Sequence, residues 1–278
     1  MKRKLTVILI IAAVLLIGLI WLLWGNSALV TTVYEVPASA ALPASFDGFR
    51  IAQVSDLHNA VFGDDNSKLL DMLAEAEPDI IAITGDLIDS RHTDIDIAVS
   101  FVEAASEIAP VYYVTGNHES RLDFDVIESR LISAGAHVLR GEAVYIERGG
   151  ERIQIAGIDD PGFIRTGGTA QERAAGELDG LLDPDTYSVL LAHRPELLDV
   201  YARYGADLVL SGHAHGGQVR LPFLGGLYAP GQGFLPEYDS GLYADGGTAM
   251  VVSRGLGNSV FPLRVNNRPE LVIIQVKS

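Results

Sequence analysis

The distribution of hydrophobic residues separates an apolar amino-terminal segment from a long region in which short apolar runs alternate with polar stretches. Residues 5–24 form a run of 20 residues without a charge, and a basic flank, residues 1–4, precedes it. A helix of 20 residues spans about 30 Å, which is the thickness of the hydrocarbon core of a bilayer. Trp21 and Trp24 lie at the far end of the run, where indole rings favour the membrane interface.

We interpret residues 5–24 as an uncleaved transmembrane signal anchor that attaches the protein to the lipid bilayer. A cleaved signal peptide is the alternative, but its apolar region normally has about 7–15 residues. The nearest Ala-x-Ala pattern, residues 38–40, lies well beyond the run. The basic flank at residues 1–4 predicts a single-pass membrane protein whose amino terminus is cytoplasmic and whose remaining chain is extracytoplasmic.

The region after the anchor divides into a linker and a folded domain. Residues 25–48 are rich in Ala, Ser and Thr with Gly and Pro between them, so we expect a linker in which residues 31–36 could pair as an edge strand. From residue 49, apolar runs such as 80–83 and 111–114 alternate with segments of helical periodicity. This alternation predicts parallel strands covered by helices. We therefore predict one α/β domain with mixed sheets over residues 49–278.

Composition limits the chemistry and the partners of this domain. The chain contains no cysteine, which excludes disulfides, thiolate ligands and a cysteine nucleophile. Residues 25–278 carry 17 basic and 36 acidic residues, a net charge of −19, because the other three basic residues lie in the flank. Such a domain repels nucleic-acid backbones and anionic lipids, so we expect no nucleic-acid partner and an attachment through the helix. The sequence shows no obligate protein partner.

Five predicted strands end in residue types that bind metal ions. The five segments are Asp56-Leu-His58, Gly85-Asp86-Leu-Ile-Asp89, Gly116-Asn117-His118-Glu119, His193 and Gly212-His213-Ala-His215. Five of the seven histidines lie in them. A single histidine in a loop is more commonly a satisfied polar residue, but chance is a poor explanation for five in successive strand ends. Because ligands collect at the carboxyl ends of strands in open sheets, these segments predict one metal site.

In content and order, the segments resemble the motifs of the calcineurin-like metallophosphoesterase family: Asp-x-His, Gly-Asp-x-x-Asp, Gly-Asn-His-Glu, a lone His and Gly-His-x-His. The carboxy-terminal part, with residues 216–220 and 267–270, is similar to the membrane-anchored bacterial branch of that family. The resemblance covers about residues 49–276. It implies a four-layer αββα sandwich of two mixed β-sheets flanked by helices, with two divalent metal ions per chain. Oxygen and nitrogen ligands without sulfur suit Mn, Fe, Zn or Co.

The same resemblance implies a role for each motif residue. Each metal ion would have three ligands of its own: Asp56, His58 and His215 for the first, Asn117, His193 and His213 for the second. Asp86 would bridge both ions. His118 would face the substrate as a catalytic residue, and Asp89 would accept its other ring N–H, although a helix N-cap is an alternative for Asp89. We interpret Glu119 as a solvated residue or one that supports the ligands.

The substrate is less well defined by the sequence. Arg194 and Arg254 could each bind a phosphate bidentately or form a surface salt bridge. The apolar loop 221–235 could line a substrate groove, contact lipid or cover the core. We expect a membrane-anchored dinuclear phosphoesterase that hydrolyses a phosphodiester or pyrophosphate with metal-activated hydroxide, on a lipid or cell-envelope substrate. The alternatives are a non-catalytic binding protein, which the complete ligand set disfavours, and a nuclease, which the acidic domain disfavours.

Overall fold

The structure is a computed structural model that describes residues 2–37, 41–164, 167–258 and 260–277. The Ala-x-Ala pattern at residues 38–40 lies outside the described residues. The α-helices of the described part are α1 (Lys2–Ser27), α2 (Ser67–Ala76), α3 (Ile95–Ser106), α4 (Phe124–Ser133), α5 (Ala170–Leu178) and α6 (Leu198–Arg203). Helix α1 is exposed over residues 3–21 and is long and apolar enough to cross a membrane.

The first β-sheet has six strands in the order β1-β16-β2-β3-β4-β5. Their bounds are β1 (Val30–Pro37), β2 (Arg50–Val54), β3 (Ile80–Thr84), β4 (Val111–Val114), β5 (Ala136–Val138) and β16 (Glu270–Lys277). Strands β2 to β5 are parallel, and β16 runs antiparallel to β2 and parallel to β1. Strand β3 is buried along its entire length, as its unbroken apolar sequence predicts.

The second β-sheet also has six strands, in the order β14-β15-β9-β8-β7-β6. Their bounds are β6 (Glu142–Arg148), β7 (Glu151–Gly157), β8 (Ser188–Leu191), β9 (Leu208–Ser211), β14 (Gly241–Asp245) and β15 (Thr248–Val252). The four central strands are parallel and the two outer strands are antiparallel to their neighbours. Two small hairpins lie between the sheets' strands in the chain: β10 (Arg220–Leu221) with β11 (Gly225–Gly226), and β12 (Tyr228–Ala229) with β13 (Gly233–Phe234).

Three buried clusters show how these elements pack. One cluster joins the inner faces of the two sheets, with Ile51 and Ala82 from the first sheet and Val189 and Leu210 from the second. Helices α2, α3 and α4 cover the outer face of the first sheet. Helices α5 and α6 cover the outer face of the second. The mixed α/β fold with two sheets between layers of helices confirms the expected αββα sandwich.

Four parts of the chain differ from the pattern expected from the sequence. Residues 30–37, within the stretch expected to be a linker, form strand β1, which pairs with β16 from Val30↔Glu270 to Pro37↔Lys277. This segment therefore belongs to the first sheet, as an edge strand that is slightly longer than residues 31–36. The sequence of residues 171–182 has a helical pattern, but α5 ends at Leu178. Strands β5 and β14 were not predicted, since their sequences are short or alternate with polar residues.

Candidate metal centre

The carboxyl ends of β2, β3 and β4 meet those of β8 and β9 at one edge of the two packed sheets. Gln53 in β2 donates from Nε2 to the Ser211 carbonyl in β9 at 2.9 Å. His193 Nδ1 lies 2.7 Å from the Thr84 carbonyl, so it donates across the same junction from the second sheet to the first. These contacts bring the five strand ends together, and the predicted ligand residues meet there.

Four side chains form the first cluster of possible ligands: Asp56, His58, Asp86 and His215. His215 Nε2 lies 3.4 Å from Asp56 Oδ1 and 3.3 Å from His58 Nε2. His58 Nε2 lies 3.5 Å from Asp86 Oδ2. All four residues are buried. Two imidazoles and two carboxylates at this spacing can hold one divalent metal ion.

Asp86, His193 and His213 form the second cluster. His193 Nε2 lies 3.4 Å from Asp86 Oδ2 and 3.1 Å from His213 Nδ1. The oxygen Asp86 Oδ2 therefore belongs to both clusters, while Asp86 Oδ1 accepts a hydrogen bond from the His118 N–H at 2.8 Å. One shared carboxylate oxygen between two sets of imidazoles is the arrangement that a dinuclear site requires.

The backbone at the candidate ligands adopts an uncommon conformation. Five of them have positive φ values: Asp56 (52°), His58 (47°), Asp86 (51°), His213 (65°) and His215 (50°). For residues other than glycine, this left-handed conformation is uncommon and costs about 1–3 kcal/mol at each position. Such conformations cluster at functional sites, where the surrounding structure holds them. The strained turns aim the side chains of successive strand ends at one point.

Electrostatics at the centre favour a bound positive charge. Because His193 Nδ1 donates to the Thr84 carbonyl, Nε2 is the ring nitrogen that faces the carboxylate oxygen Asp86 Oδ2. Burial lowers the pKa of His193, but Asp86 and Asp56 outweigh it and raise that pKa to about 10. Burial also raises the pKa of Asp56 to about 6. A cation between these atoms would satisfy both the carboxylates and the imidazole lone pairs.

Several buried polar atoms at the centre lack a hydrogen-bond partner among the described residues. They are His58 Nδ1, Asn117 Oδ1, His213 Nε2 and His215 Nδ1. A buried acceptor without a partner costs about 1–3 kcal/mol, so it calls for an explanation. The orphaned amide oxygen of Asn117, at the end of β4, is the donor type that a divalent ion accepts beside histidine and carboxylate. The residues present therefore fit two divalent ions.

His118 lies against the first cluster, with its ring 4.5 Å from that of His58. Its Nδ1 accepts a hydrogen bond from the Ser90 N–H at 3.1 Å, so the neutral ring carries its proton on Nε2. Asp89 Oδ1 is 3.4 Å from the same nitrogen, but the carboxylate accepts its hydrogen bonds from the Arg91 backbone and guanidinium. Burial lowers the pKa of His118, and the carboxylates of Asp86 and Asp89 oppose that effect.

His118 Nδ1 is therefore hydrogen-bonded to the Ser90 N–H and not to the expected partner, Asp89. The Ser90 backbone sets the tautomer, and Asp89 contributes a nearby negative charge. The alternative role of Asp89 as a helix N-cap does not hold either, because Asp94 caps α3 by accepting from the Asp96 N–H. A sequence motif cannot distinguish these roles, since they depend on which way the loop after β3 turns.

Of the two interpretations of Glu119, the structure fits a residue that supports the ligands and not a solvated one. It is fully buried and accepts hydrogen bonds from the backbone N–H groups of Asp86, Ile88 and Gly116 at 2.9–3.0 Å. The carboxylate therefore ties the loop after β3 to the loop after β4. Burial raises the pKa of Glu119 to about 7. Its only signal in the sequence is its place at the end of the Gly-Asn-His-Glu segment.

The two arginines considered for phosphate binding are already paired with carboxylates. Arg194 donates from Nε and NH2 to Asp160 at 2.6 and 3.0 Å. Arg254 donates to Glu270 at 2.8 Å. Both guanidinium groups are mostly buried, and each partner carboxylate is almost completely buried. The geometry therefore supports the salt-bridge alternative for both residues and not the phosphate-binding one.

Comparison with known proteins agrees with this geometry. The family described as calcineurin-like phosphoesterase matches residues 49–217. The uncharacterized metallophosphoesterase YkuE of Bacillus subtilis is 30% identical over 256 residues, which cover 90% of this chain and 86% of that protein. The phosphodiesterase YaeI of Escherichia coli is 30% identical over 240 residues, 82% of each chain. A bovine transmembrane protein with metallophosphoesterase domain is 32% identical over 256 residues, 87% of this chain and 55% of that protein.

The chain belongs to the calcineurin-like phosphoesterase family. It is a metallophosphoesterase, a hydrolase that acts on phosphoric ester bonds, and its buried histidine and aspartate cluster fits a dinuclear metal centre. The amino-terminal helix and the transmembrane relative indicate a single-pass membrane protein.

Proposed function

We propose that this protein is a membrane-anchored phosphodiesterase or pyrophosphatase that works with two divalent metal ions. The observation that carries this proposal is the position of Asp86 Oδ2, which lies within 3.5 Å of His58 Nε2 in one cluster and of His193 Nε2 in the other. In this proposal Asp56, His58 and His215 hold the first ion. Asn117, His193 and His213 hold the second. Bound ions of this kind would neutralise phosphoryl charge and lower the pKa of the attacking water.

The protein's own residues position the reaction. The backbone N–H of His118 donates to Asp86 Oδ1, so Asp86 Oδ2 points between the two clusters. Ser55 Oγ donates to Asp56 Oδ2 at 2.7 Å, and the His213 N–H also contacts this carboxylate. These hydrogen bonds fix both carboxylates before substrate arrives, so little reorganisation accompanies the reaction.

In this proposal His118 donates a hydrogen bond to the leaving oxygen. Its Nε2–H is directed away from Ser90 and Asp89, and its ring lies beside His58 at the first cluster. From there it donates to the departing oxygen of the phosphate ester or stabilises its charge. The lowered pKa of His118 keeps the ring neutral at neutral pH, so a single N–H is available for donation.

The proposed place of the reaction is the outer side of the cytoplasmic membrane. The basic flank at residues 1–4 favours a cytoplasmic amino terminus, and α1 leads directly into the catalytic domain. Tethering to a bilayer favours a phosphate ester carried by a lipid or an envelope polymer over a freely diffusing nucleotide or a protein phosphomonoester. The acidic domain disfavours nucleic acid.

The test uses the full chain purified in detergent and stripped of metal. Elemental analysis after addition of Mn, Fe, Zn or Co should give two ions per chain. The enzyme reconstituted with the metal that restores activity should hydrolyse phosphodiesters in preference to monoesters. His118→Gln should keep both ions and lower kcat by about 10²–10⁴-fold. The loss should be smaller for an aryl ester, since a good leaving group needs less stabilisation of the charge on its oxygen. One ion or none in the folded protein, or preferential hydrolysis of short DNA, would refute the proposal.

A further inference from the structure

Two uncharged segments of the sequence meet beside the metal centre. Residues 221–235 and 255–263 contain no Asp, Glu, Lys or Arg, although a fifth of the whole chain is charged. Tyr228 of the first segment lines a cavity of about 330 Å³ together with Val260 and Phe261 of the second. His215, a candidate ligand, lies in the same cavity wall. This cavity lies between His215 and the exposed side chains of Val260 and Phe261.

Large apolar side chains of the same two segments are exposed. We call them the apolar rim: Phe223, Leu224, Phe234, Leu235, Val260 and Phe261. Phe223 is fully exposed and Phe234 is 77% exposed, so these two side chains do not cover the core. Phe223 and Leu235 also have positive φ values of 68° and 53°, which is unusual for bulky residues. A clustered apolar surface next to an active site marks a site of contact with another apolar phase.

The end of helix α1 is fastened next to the apolar rim. Asn26 and Arg264 exchange two hydrogen bonds, Arg264 N–H to Asn26 Oδ1 at 2.6 Å and Asn26 Nδ2 to the Arg264 carbonyl at 2.9 Å. Arg264 stands three residues after Phe261. The Arg268 guanidinium lies 4.9 Å from the centre of the Trp24 ring, and its Nε donates to the Ala28 carbonyl at 2.8 Å.

The hairpin β10–β11 is hydrogen-bonded to the same segment of the chain, next to Arg264. The Arg220 N–H donates to the Val265 carbonyl at 2.9 Å, one residue beyond the partner of Asn26. Trp24 belongs at the level of the lipid headgroups once α1 spans the bilayer. These contacts therefore bring the rim to the level at which the helix leaves the membrane.

We propose that the apolar rim is a membrane-docking surface whose partner is the bilayer that contains α1. The domain carries a net charge of −19, so an anionic lipid surface would repel most of its faces. The uncharged rim is a face that can lie against lipid without this repulsion. If the rim docks on the bilayer, the cavity lined by Tyr228 and His215 faces the lipid headgroups. The inference concerns the placement of the domain and does not depend on the reaction proposed above.

Site-directed spin labelling of the full chain in lipid nanodiscs tests this inference. Because the chain lacks cysteine, Phe223→Cys and Phe234→Cys each provide a single labelling position. Val126→Cys is the matched control, since Val126 is also an exposed apolar residue, 55% exposed. It lies on α4, which packs against β5 at the opposite edge of the first sheet from β1. The measurement compares collisions of each label with oxygen, which concentrates in lipid, and with a polar nickel chelate.

Docking predicts that oxygen collisions exceed chelate collisions by several-fold at residues 223 and 234, with the reverse at residue 126. A label at Val260→Cys should show the same lipid signature and lose it when Phe223 and Phe234 are both replaced by Asp. Rim labels that are as accessible to the chelate as residue 126 would overturn the proposal. Rim labels shielded from both reagents would overturn it as well, because a second protein copy would then cover the surface. No outcome depends on turnover, so the result is separate from the test of the proposed function.

Discussion

Replacement of Gly116 by alanine tests how closely Asp86 must be placed. A Cβ atom at Gly116 would lie 2.8 Å from Asp86 Cγ and nearer still to Asp86 Oδ1 and the Asp86 backbone nitrogen. Real Cβ atoms essentially never approach other heavy atoms within 3.0 Å. Gly116 does not have a positive φ, so alanine is compatible with the backbone there. The substitution therefore acts by steric displacement alone.

The size of the effect follows from these distances. Ordinary contact begins near 3.4 Å, so the Asp86 carboxylate must move by at least about 0.6 Å, and further at Oδ1. Overpacking of this kind costs about 1–3 kcal/mol of stability. A misplacement of about 1 Å in a catalytic centre can cost on the order of 10²-fold in rate, or about 2.7 kcal/mol of barrier. We expect Gly116→Ala to lose metal ions and about two orders of magnitude in kcat.

The assay compares Gly116→Ala with Gly176→Ala in the full chain. Gly176 lies in α5, and a Cβ atom there would meet no other atom within 4 Å. Alanine at Gly176 should therefore leave activity unchanged and raise stability by up to about 1 kcal/mol. Elemental analysis gives the metal content, and hydrolysis of an aryl phosphodiester gives kcat. Two ions per chain and a kcat within twofold of the parent in Gly116→Ala would show that the position of Asp86 is not critical.

Three further predictions concern the shared carboxylate, a distant acid and the membrane topology. In Asp86→Asn the new NH₂ group must face either the backbone N–H of His118 or the two clusters. Elemental analysis should therefore show loss of both ions. Two retained ions would contradict a shared ligand. Burial raises the pKa of Glu177 from 4.5 to about 7. The native state therefore binds more protons than the unfolded state between these pH values. As pH rises through this range, the free energy of unfolding should fall by about 1–2 kcal/mol, after allowance for solvent screening. Glu177→Gln keeps an acceptor for the Asp159 N–H and should remove this slope in chemical denaturation, whereas equal slopes would assign it to other groups. A reporter fused after Ser278 should be active only outside the cytoplasm, and a cytoplasmic signal would reverse the orientation.

The layers of the fold were predictable because the strands that form them are short, unbroken apolar runs. Strands β3, β4, β8 and β9 are buried on both faces, so their sequences need no alternation and their ends stand out as abrupt changes to Gly, Asp, Asn and His. Parallel strands place such ends at one edge of a sheet. The meeting of five motifs could therefore be predicted without knowledge of the loops.

The contacts of the charged side chains were not predictable, because they depend on residues far away in the chain. Arg194 pairs with Asp160, and Arg254 pairs with Glu270. Asp160 belongs to no motif, and neither carboxylate lies in the same local segment as its arginine. The left-handed backbone at Asp56 could not be predicted either. The residue type only makes that conformation more common, and tertiary contacts decide where it occurs. Sequence patterns thus indicate which residues meet, and the packing decides what each one binds.

The anchor and the metal centre are also connected through hydrogen bonds inside the domain. Arg264, whose backbone is held by Asn26 at the end of α1, is fully buried and donates to the carbonyl of Gly257. The Gly257 N–H donates in turn to the Asp56 carbonyl at 2.7 Å. Burial lowers the pKa of Arg264 to about 10, so the guanidinium is still charged at neutral pH and needs these carbonyl partners. A chain cut after Ser27 would lose Asn26 and loosen the support of Asp56, so the helix is part of the site's construction as well as its attachment to the membrane.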